Sequence, residues 1–204
     1  MIQIAYVDIR DLEPYYDSLY RAASPERRQR ADLCRREEAL RCVAADALLR
    51  YAATSQGITE YAVQKNQWGK PSLDGHPHFH FNLTHSGHFA AIAWGSAEVG
   101  IDLEVTQERS SIPTLVRRHF TVPEQKYVFA GDTCGRFYEV WTAKESVLKY
   151  LGTGLTRPLS SFCTRSPQWQ ALLHTFFPEE ACCLTVCTES SLAEPVRLTA
   201  ESLL

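Results

Sequence analysis

The chain has 204 residues, of which 45% are hydrophobic and 22% are charged, as in an ordinary globular protein. This length can bury a sizeable core, and this composition excludes a disordered or fibrous polypeptide. The formal net charge of −3 argues against attachment to nucleic acid or to a membrane by bulk electrostatic attraction, and we expect neither partner.

The sequence also predicts a cytoplasmic location. No apolar run approaches the roughly 20 residues that a membrane helix needs, and the N-terminus carries no signal-peptide pattern. The seven cysteines are an odd number, and no two of them have the Cys-x-x-Cys spacing of a zinc site. We therefore expect reduced thiols.

The first predicted elements are a strand and two helices. Alternating apolar residues at 2–7 predict the strand. Ser24 and the Pro-Glu pair after it supply an N-cap, a first-turn proline and a first-turn acid for a helix. A longer helix is predicted at 35–54, because apolar side chains recur along one side and Gly57 follows its end.

Turns and strands are predicted next. Residues 67–78 contain WGKP and DGHP, which are typical of turns rather than regular structure. Strands are predicted at 80–84, 89–94 and 98–104, because Ser-Gly and Gly-Ser breakers separate these apolar runs.

The second half of the chain begins with predicted helices at 112–120, after Thr121, and at 135–151, where Gly152 ends the pattern. Short strands and turns are expected after that. The predicted order of helices followed by strands therefore occurs twice. We expect an α+β fold of two similar lobes, residues 1–104 and 105–204.

Two acidic residues stand in the last strand of the first half. Asp102 and Glu104 are separated by one residue, so their side chains point to the same face about 7 Å apart. Carboxylates on one face repel unless water, a cation or a basic partner lies between them. The pair fits a solvated strand end and a metal site equally well. Gly100 before it permits close approach of another chain or a ligand.

A third carboxylate comes from the 135–151 helix. Glu145 and Lys149 are one turn apart, and an exposed helix-stabilising ion pair would explain them. The apolar residues around them, however, indicate a largely buried helix, whose charged face would look into a cleft. Together with the strand pair, Glu145 completes an all-oxygen ligand set of the kind that Mg²⁺ takes beside phosphate oxygens.

Basic and hydroxyl residues upstream predict an anion site. Residues 21–50 hold eight arginines against five acids, in an acidic protein. The segment FNLTHSG at 81–87 presents two hydroxyls and an imidazole where a strand turns over. A lone histidine there would most often be structural. With Lys70 and with Arg27, Arg30 and Arg41, the set fits a substrate that carries several phosphates.

These segments, taken in order, resemble the 4′-phosphopantetheinyl transferases of the Sfp type, named for the activator of surfactin synthetase. The series covers about two thirds of the chain: SPERR at 24–28, Arg41, WGKP at 68–71, FNLTHSG at 81–87, GIDLE at 100–104, and WTAKES at 141–146 with Lys149. Each segment alone is weak, but the ordered series is specific. The resemblance implies two α/β lobes in a pseudo-twofold arrangement, with the active site at their interface.

The resemblance also implies an activity. It is the magnesium-dependent transfer of the phosphopantetheine arm of coenzyme A to a serine of an apo acyl or peptidyl carrier protein, with release of adenosine 3′,5′-bisphosphate. Such an enzyme is a holo-carrier-protein synthase. A trimeric type builds its site between subunits, but this chain contains both expected lobes, and we expect a monomer.

Residue roles follow from the same resemblance. Asp102, Glu104 and Glu145 would hold magnesium, and Asp102, Glu145 and Lys149 would be catalytic. The coenzyme A contacts would be Arg27, Arg30, Arg41 and His85 at the 3′-phosphate, Lys70 and Pro71 at the adenine, and Thr84, Lys144 and Lys149 at the pyrophosphate. Arginines stand where lysines are familiar at 27 and 30, and Thr84 where serine is common, and both changes keep the chemistry. After about residue 164 no motif is found.

Two roles stay open at this point. The serine proton needs a base, and Glu145, a metal-bound water that it holds, and Glu124 are candidates, although Glu124 has the alternative role of capping its helix. Carrier proteins are typically acidic, so their docking surface should be basic with an apolar centre. Arg117, Arg118, His119 and Phe120 fit this description, and a solvated helix end fits equally well.

Two rival functions are weaker. A different magnesium phosphotransferase is disfavoured, because the sequence has no glycine-rich phosphate loop. A binding module without catalysis would be expected to lose a carboxylate of the site, and all three carboxylates are present.

Overall fold

The computed structural model describes residues 1–204, the side chain of Leu155 excepted. The strands are Gln3–Asp8 (β1), Val63–Lys65 (β2), Pro71–Leu73 (β3), His80–Ser86 (β4), Phe89–Gly95 (β5), Gly100–Val105 (β6), Leu173–Glu179 (β7), Cys182–Cys187 (β8) and Val196–Arg197 (β9). The α-helices are Tyr16–Ala22 (α1), Pro25–Asp32 (α2), Arg36–Thr54 (α3), Ile112–His119 (α4), Val122–Phe129 (α5), Thr133–Leu151 (α6), Pro167–Gln170 (α7) and Ala200–Leu203 (α8).

The first sheet has the strand order β4-β5-β1-β9. Successive side chains of β1 point to opposite faces, as in any strand. Val7 packs toward α3, whereas Ile4 and Tyr6 pack toward the second sheet. The long helix α3 covers the outer face because its apolar residues, such as Val43 and Leu48, are completely buried.

The second sheet has the order β6-β8-β7, and the long helix α6 covers its outer face. Its inner face shares a core with the first sheet, through Leu103 and Val186 among others. The two long helices therefore enclose two sheets, and the expected α+β class is confirmed.

Helix α6 lies unusually close to β6 because of Gly100. A Cβ atom at this position would lie 2.1 Å from the carbonyl oxygen of Ser146 and 2.3 Å from the amide nitrogen of Tyr150. Only glycine fits against helix backbone at this distance. The sequence predicted a close approach at Gly100, and the approaching element is α6.

Two parts of the chain differ from the sequence expectation. Residues 67–78 were expected to form turns only, yet β3 begins at Pro71 and pairs antiparallel with β2. The side chain of Asn66 organises the connecting turn, since its Oδ1 accepts hydrogen bonds from the amides of Trp68 and Lys70, both at 2.9 Å. Local turn chemistry thus supports a hairpin too short to show an apolar alternation.

The division into lobes also differs from the expected boundary at 104/105. β6 belongs to the second sheet, and the chain returns to the first sheet at its end. There β9 pairs parallel with β1, and Leu203 of α8 enters the core under α3. The returning segment carries too few apolar residues to reveal its partner, because its pairing is set by β1 far away in sequence. Within the part of the chain that the structure describes, no helix is both long and apolar enough to cross a membrane.

Candidate active site

A seam of side chains joins the two sheets. β4 and β6 run parallel to each other, and alternate amides of β6 face β4 instead of β8. In place of backbone carbonyls, three side chains on one face of β4 accept their hydrogen bonds. The bonds run from Ile101 N to Asn82 Oδ1 at 3.1 Å, from Leu103 N to Thr84 Oγ1 at 3.3 Å and from Val105 N to Ser86 Oγ at 3.2 Å.

The seam brings Asp102 into contact with α6. Its Oδ1 accepts hydrogen bonds from Lys149 Nζ at 2.6 Å and from the Thr84 hydroxyl at 3.2 Å. The other oxygen, Oδ2, is buried and has no hydrogen-bond partner among the described residues. Burial raises the pKa of Asp102, against the lowering effect of Lys149. A buried carboxylate with one unsatisfied oxygen is costly unless a further ligand binds it.

Glu104 lies one pleat further along the same face of β6. It is half-buried, and its Oε2 accepts a hydrogen bond from the Ser86 hydroxyl at 2.5 Å. Burial raises the pKa of Glu104, opposed by the Ser86 hydrogen bond, and the charge of Asp102 raises it further.

Glu145 faces this pair from α6. Burial raises the pKa of the half-buried Glu145, and the negative charge of Asp102 adds to the rise, with Lys149 opposing it and Glu104 reinforcing it. The charges of Asp102 and Glu104 thus both raise the pKa of Glu145, and among the described residues Lys149 alone forms an ion pair with this cluster, through Asp102. In the described part of the chain, no group of three acidic, histidine or cysteine side chains is close enough to hold a metal ion as it stands.

A cationic pocket of about 220 Å³ lies among α2, α3 and β4. Arg27 and Arg30 on α2, Arg41 on α3 and His85 on β4 line it, so the structure brings together all four residues expected at one phosphate. The Arg41 guanidinium is oriented by the Gly87 carbonyl, which accepts hydrogen bonds from Nε at 3.2 Å and from Nη2 at 3.0 Å. Three guanidinium groups around one pocket form a site for an anion.

His85 connects this pocket to the carboxylates. Its imidazole is solvent-accessible at the pocket, and its pKa is lowered by partial desolvation first, then by the positive charges of Arg41, Lys149 and Arg30. Charges in the arginine pocket and the charge of Lys149 therefore both lower the pKa of His85. The neighbouring residue, Thr84, contacts Asp102 directly. The charges of the arginine pocket and of Lys149 and Asp102 in the acidic cluster therefore all act on His85.

Lys70 and Pro71 line a separate pocket of about 190 Å³ near the hairpin turn. Lys70 also links the β2–β3 hairpin to α6 and to the residue before β6. Its Nζ pairs with Glu98 and donates hydrogen bonds to the carbonyls of Val99 at 3.2 Å and Tyr150 at 3.0 Å. Tyr150 lies in the last turn of α6, where a cation stabilises the helix C-terminus.

Comparison with known proteins decides the family. A sequence profile described as the 4′-phosphopantetheinyl transferase superfamily matches residues 98–199, which is half of the chain. The chain belongs to this superfamily. The resemblance inferred from the sequence, and the enzyme class that it implied, are thereby confirmed.

Individual relatives agree with the family match. The chain is 34% identical over 155 residues to 4′-phosphopantetheinyl transferase Sfp of Bacillus subtilis (strain 168), covering 71% of this chain and 67% of that protein. It is 33% identical over 154 residues to 4′-phosphopantetheinyl transferase psf-1 of Bacillus pumilus, covering 67% and 65%. A mouse relative, L-aminoadipate-semialdehyde dehydrogenase-phosphopantetheinyl transferase, is 34% identical over 108 residues, covering 46% and 35%.

In this member of the superfamily, Lys144 is not brought to the acidic cluster. Its side chain has no exposure, and its Nζ donates to the carbonyls of Leu159 at 2.8 Å and Phe162 at 2.7 Å and pairs with Glu124 at 2.9 Å. The expected contact with a pyrophosphate is thus incompatible with this packing. Successive helix residues point about 100° apart, so Lys144 and Glu145 face different sides of α6.

Glu124 is equally remote from the surface. Its carboxylate accepts four hydrogen bonds at 2.7–2.8 Å, from the amides and hydroxyls of Thr121 and Thr164. The capping alternative is therefore the one observed, and a fully buried carboxylate with these partners cannot receive a proton from a bound substrate.

The expected docking surface is partly rearranged. Arg117 and Arg118 are exposed on α4, but Phe120 is buried and stacks on Phe137. The apolar side chains exposed beside the arginines belong to α5 instead: Val122 is 64% exposed and Phe129 is 42% exposed. The guanidinium of Arg117 lies 5.4 Å from the centre of the Phe129 ring.

Sequence reasoning for this transferase missed the roles of Asn82 and Ser86. Both lie in a segment that was singled out for its hydroxyl and imidazole groups. Their positions, two residues to either side of Thr84, place the three side chains on one face of a strand. That spacing is the signal that could have found the seam.

Proposed function

We propose that this protein transfers the 4′-phosphopantetheine arm of coenzyme A to a serine hydroxyl of an apo carrier protein and releases adenosine 3′,5′-bisphosphate. Membership of the superfamily supports the reaction class. The observation that carries the proposal is the adjacency of a three-arginine pocket and a cluster of three carboxylates with Lys149. A substrate with phosphates at two places can engage both.

We further propose that Asp102, Glu104 and Glu145 bind Mg²⁺ together with the pyrophosphate. The all-oxygen donor set suits this cation, and the unsatisfied buried oxygen of Asp102 gives it a ligand without a present partner. When bound, Mg²⁺ would neutralise and orient the pyrophosphate. The charges of Asp102 and Glu104 both act on Glu145, and the three carboxylates would have to move closer together to hold one ion.

The remaining steps use the chain's own groups. Arg27, Arg30, Arg41 and His85 would hold the 3′-phosphate, which fixes one end of coenzyme A. Lys149 would exchange its contact with Asp102 for the pyrophosphate and stabilise the charge of the departing bisphosphate. The attacking serine hydroxyl loses its proton to a base, and Glu145, or a water that it holds, is our candidate because this half-buried carboxylate faces the acidic pair from α6.

The decisive experiment is direct. The protein is incubated with coenzyme A, Mg²⁺ and a panel of apo acyl and peptidyl carrier proteins, and intact-mass spectrometry detects a phosphopantetheine adduct. A parallel reaction with a chelator should give no adduct, and added Mg²⁺ should restore it. Absence of an adduct on every carrier would remove the transferase proposal.

The phosphate pocket has a test that needs no catalysis. Half-buried Cys34 lines the same pocket as the three arginines. Bound coenzyme A should therefore slow its alkylation by iodoacetamide, measured by peptide mass spectrometry. Cys134 and Cys163, which are half-buried and lie outside this pocket, are internal controls. Equal alkylation of Cys34 with and without coenzyme A would argue against this pocket.

We propose that carrier proteins dock on the exposed faces of α4 and α5, around Arg117, Arg118, Val122 and Phe129. Positive charge beside exposed apolar groups suits an acidic carrier helix. Reversing both arginines to glutamate should raise the KM for the carrier about tenfold and leave the KM for coenzyme A unchanged. An unchanged carrier KM would move the docking surface elsewhere. The monomeric state and cytoplasmic location stay expectations.

A further inference from the structure

Ser86 occupies a special position in the seam between the lobes. Two of the three seam side chains, Thr84 and Ser86, also contact a carboxylate of β6, whereas Asn82 is described only as an acceptor for the amide of Ile101. Thr84 shares its contact with Lys149. Ser86 is thus the seam residue whose hydroxyl forms a hydrogen bond with the side chain of Glu104.

The hydrogen bonds of Ser86 have a fixed direction. A serine hydroxyl has one proton and accepts through its lone pairs. The amide of Val105 donates to Ser86 Oγ at 3.2 Å, so this hydrogen bond uses a lone pair. The single proton is left for Glu104 Oε2, at 2.5 Å. The Val105 amide therefore leaves the Ser86 hydroxyl proton directed at Glu104, the residue before Val105 in β6.

A hydrogen bond to a carboxylate is stronger than one between neutral groups. Glu104 is half-buried on a flexible side chain, and ordering such a side chain costs conformational entropy. A donor that holds one carboxylate oxygen in place orders the Glu104 side chain in advance. Less conformational entropy is then lost when a cation binds. Outer partners of this kind orient the ligands of metal sites in general.

We propose that Ser86 is a positioning residue that orients the Glu104 carboxylate for the divalent cation, an inference that rests on the proposed function. The hydroxyl acts through Glu104. Because Ser86 belongs to the first sheet and Glu104 to the second, the orientation of this ligand depends on the correct alignment of the two lobes.

The test compares three variants. Ser86→Ala removes the donor, Ser86→Thr keeps it, and Asn82→Ala removes a seam bond that touches no carboxylate. Binding of Mn²⁺ to the protein saturated with coenzyme A, without a carrier protein, is titrated by electron paramagnetic resonance, and thermal unfolding is measured in the absence of metal. Transfer assays then give kcat and the KM for Mg²⁺.

Ser86→Ala is expected to weaken Mn²⁺ binding and raise the KM for Mg²⁺ about tenfold, with kcat at saturating Mg²⁺ changed less than twofold. Ser86→Thr should restore both values. Asn82→Ala should lower the unfolding temperature and leave Mn²⁺ affinity within twofold.

Two results would overturn the inference. One is wild-type Mn²⁺ affinity in Ser86→Ala. The other is an equal loss in Asn82→Ala, which would show that the seam matters only for stability. Failure of the proposed function has a different signature, since the wild-type protein would then neither transfer phosphopantetheine nor respond to Mg²⁺.

Discussion

Helix α6 carries two lysine–carboxylate pairs with opposite surroundings. Lys144 and Glu124 have no side-chain exposure. The Lys144 ammonium and both carboxylate oxygens of Glu124 have hydrogen-bond partners. Lys149 is 29% exposed, and its partner Asp102 keeps an unsatisfied buried oxygen beside two more carboxylates. The first pair is a closed structural unit. The second is an incomplete set of charges, which is the condition of a site that binds a ligand.

The contrast shows how adjacent residues take different roles. Lys144 and Glu145 are neighbours in the chain, but the helix turns them to different sides. Lys144 anchors the segment after α6 by donating hydrogen bonds to the carbonyls of Leu159 and Phe162. Its Nζ lies 4.5 Å from the centre of the Phe162 ring. Glu145 faces β6 and the carboxylates. A motif that is contiguous in sequence therefore supplies two sides of one helix.

The largest effect is expected from breaking the closed pair. Glu124→Gln would leave the Lys144 charge buried without its counter-ion, which should lower the free energy of unfolding by about 3–5 kcal/mol. Urea denaturation measures this loss. Glu26→Gln is a control, because the exposed Glu26–Lys65 pair should contribute no more than about 1 kcal/mol. A loss as small as that of the control would contradict the contrast between the pairs.

A change in the cluster of Asp102, Glu104 and Glu145 should affect the transfer activity and not the stability. Glu145→Gln removes one carboxylate from a repelling group, so the unfolding free energy should not fall, whereas transfer should slow about a hundredfold or more. Turnover is measured at saturating Mg²⁺ and coenzyme A. Glu139→Gln on the same helix, where the carboxylate accepts a hydrogen bond from the Tyr127 hydroxyl at 2.6 Å, should keep activity within twofold. Near-normal turnover of Glu145→Gln would exclude both its ligand role and its base role.

The smallest effect is the acid dependence of stability. Burial raises the pKa of Glu124, but the hydrogen bond and charge of Lys144, together with the Thr121 and Thr164 amides, outweigh it, and the net pKa is lowered. A lowered folded-state pKa contributes stability above the unfolded value of about 4.3, and this contribution is lost as the pH falls through the folded value. Wild-type protein should therefore lose stability more steeply than Glu124→Gln below about pH 4.3. Parallel curves in urea titrations at several pH values would contradict this.

Much of the fold was accessible from local patterns. Capping residues and apolar periodicity predicted the helices α2, α3 and α6, and Gly152 ends α6 in the left-handed conformation with φ of 64°, as its position after the pattern indicated. The strands β4 to β6 were predicted to within a few residues. The hairpin β2–β3 and the return of β9 to β1 were not, since short strands draw their stability from a partner and not from their own sequence.

For the site, the sequence by itself determined which chemical groups are available. It also determined the order of the motifs along the chain, which resembles that of the family. Asp102, Glu104, Glu145 and the arginines were candidates because carboxylates and guanidinium groups suit metal and phosphate chemistry, and the family resemblance implied the role of each. Only the tertiary structure decided that Lys144 and Glu124 form a buried pair, that Phe120 is covered, and that Ser86 reaches Glu104. The physical reason is that burial and hydrogen bonding depend on which helices and sheets pack together, and these contacts join residues far apart in the chain.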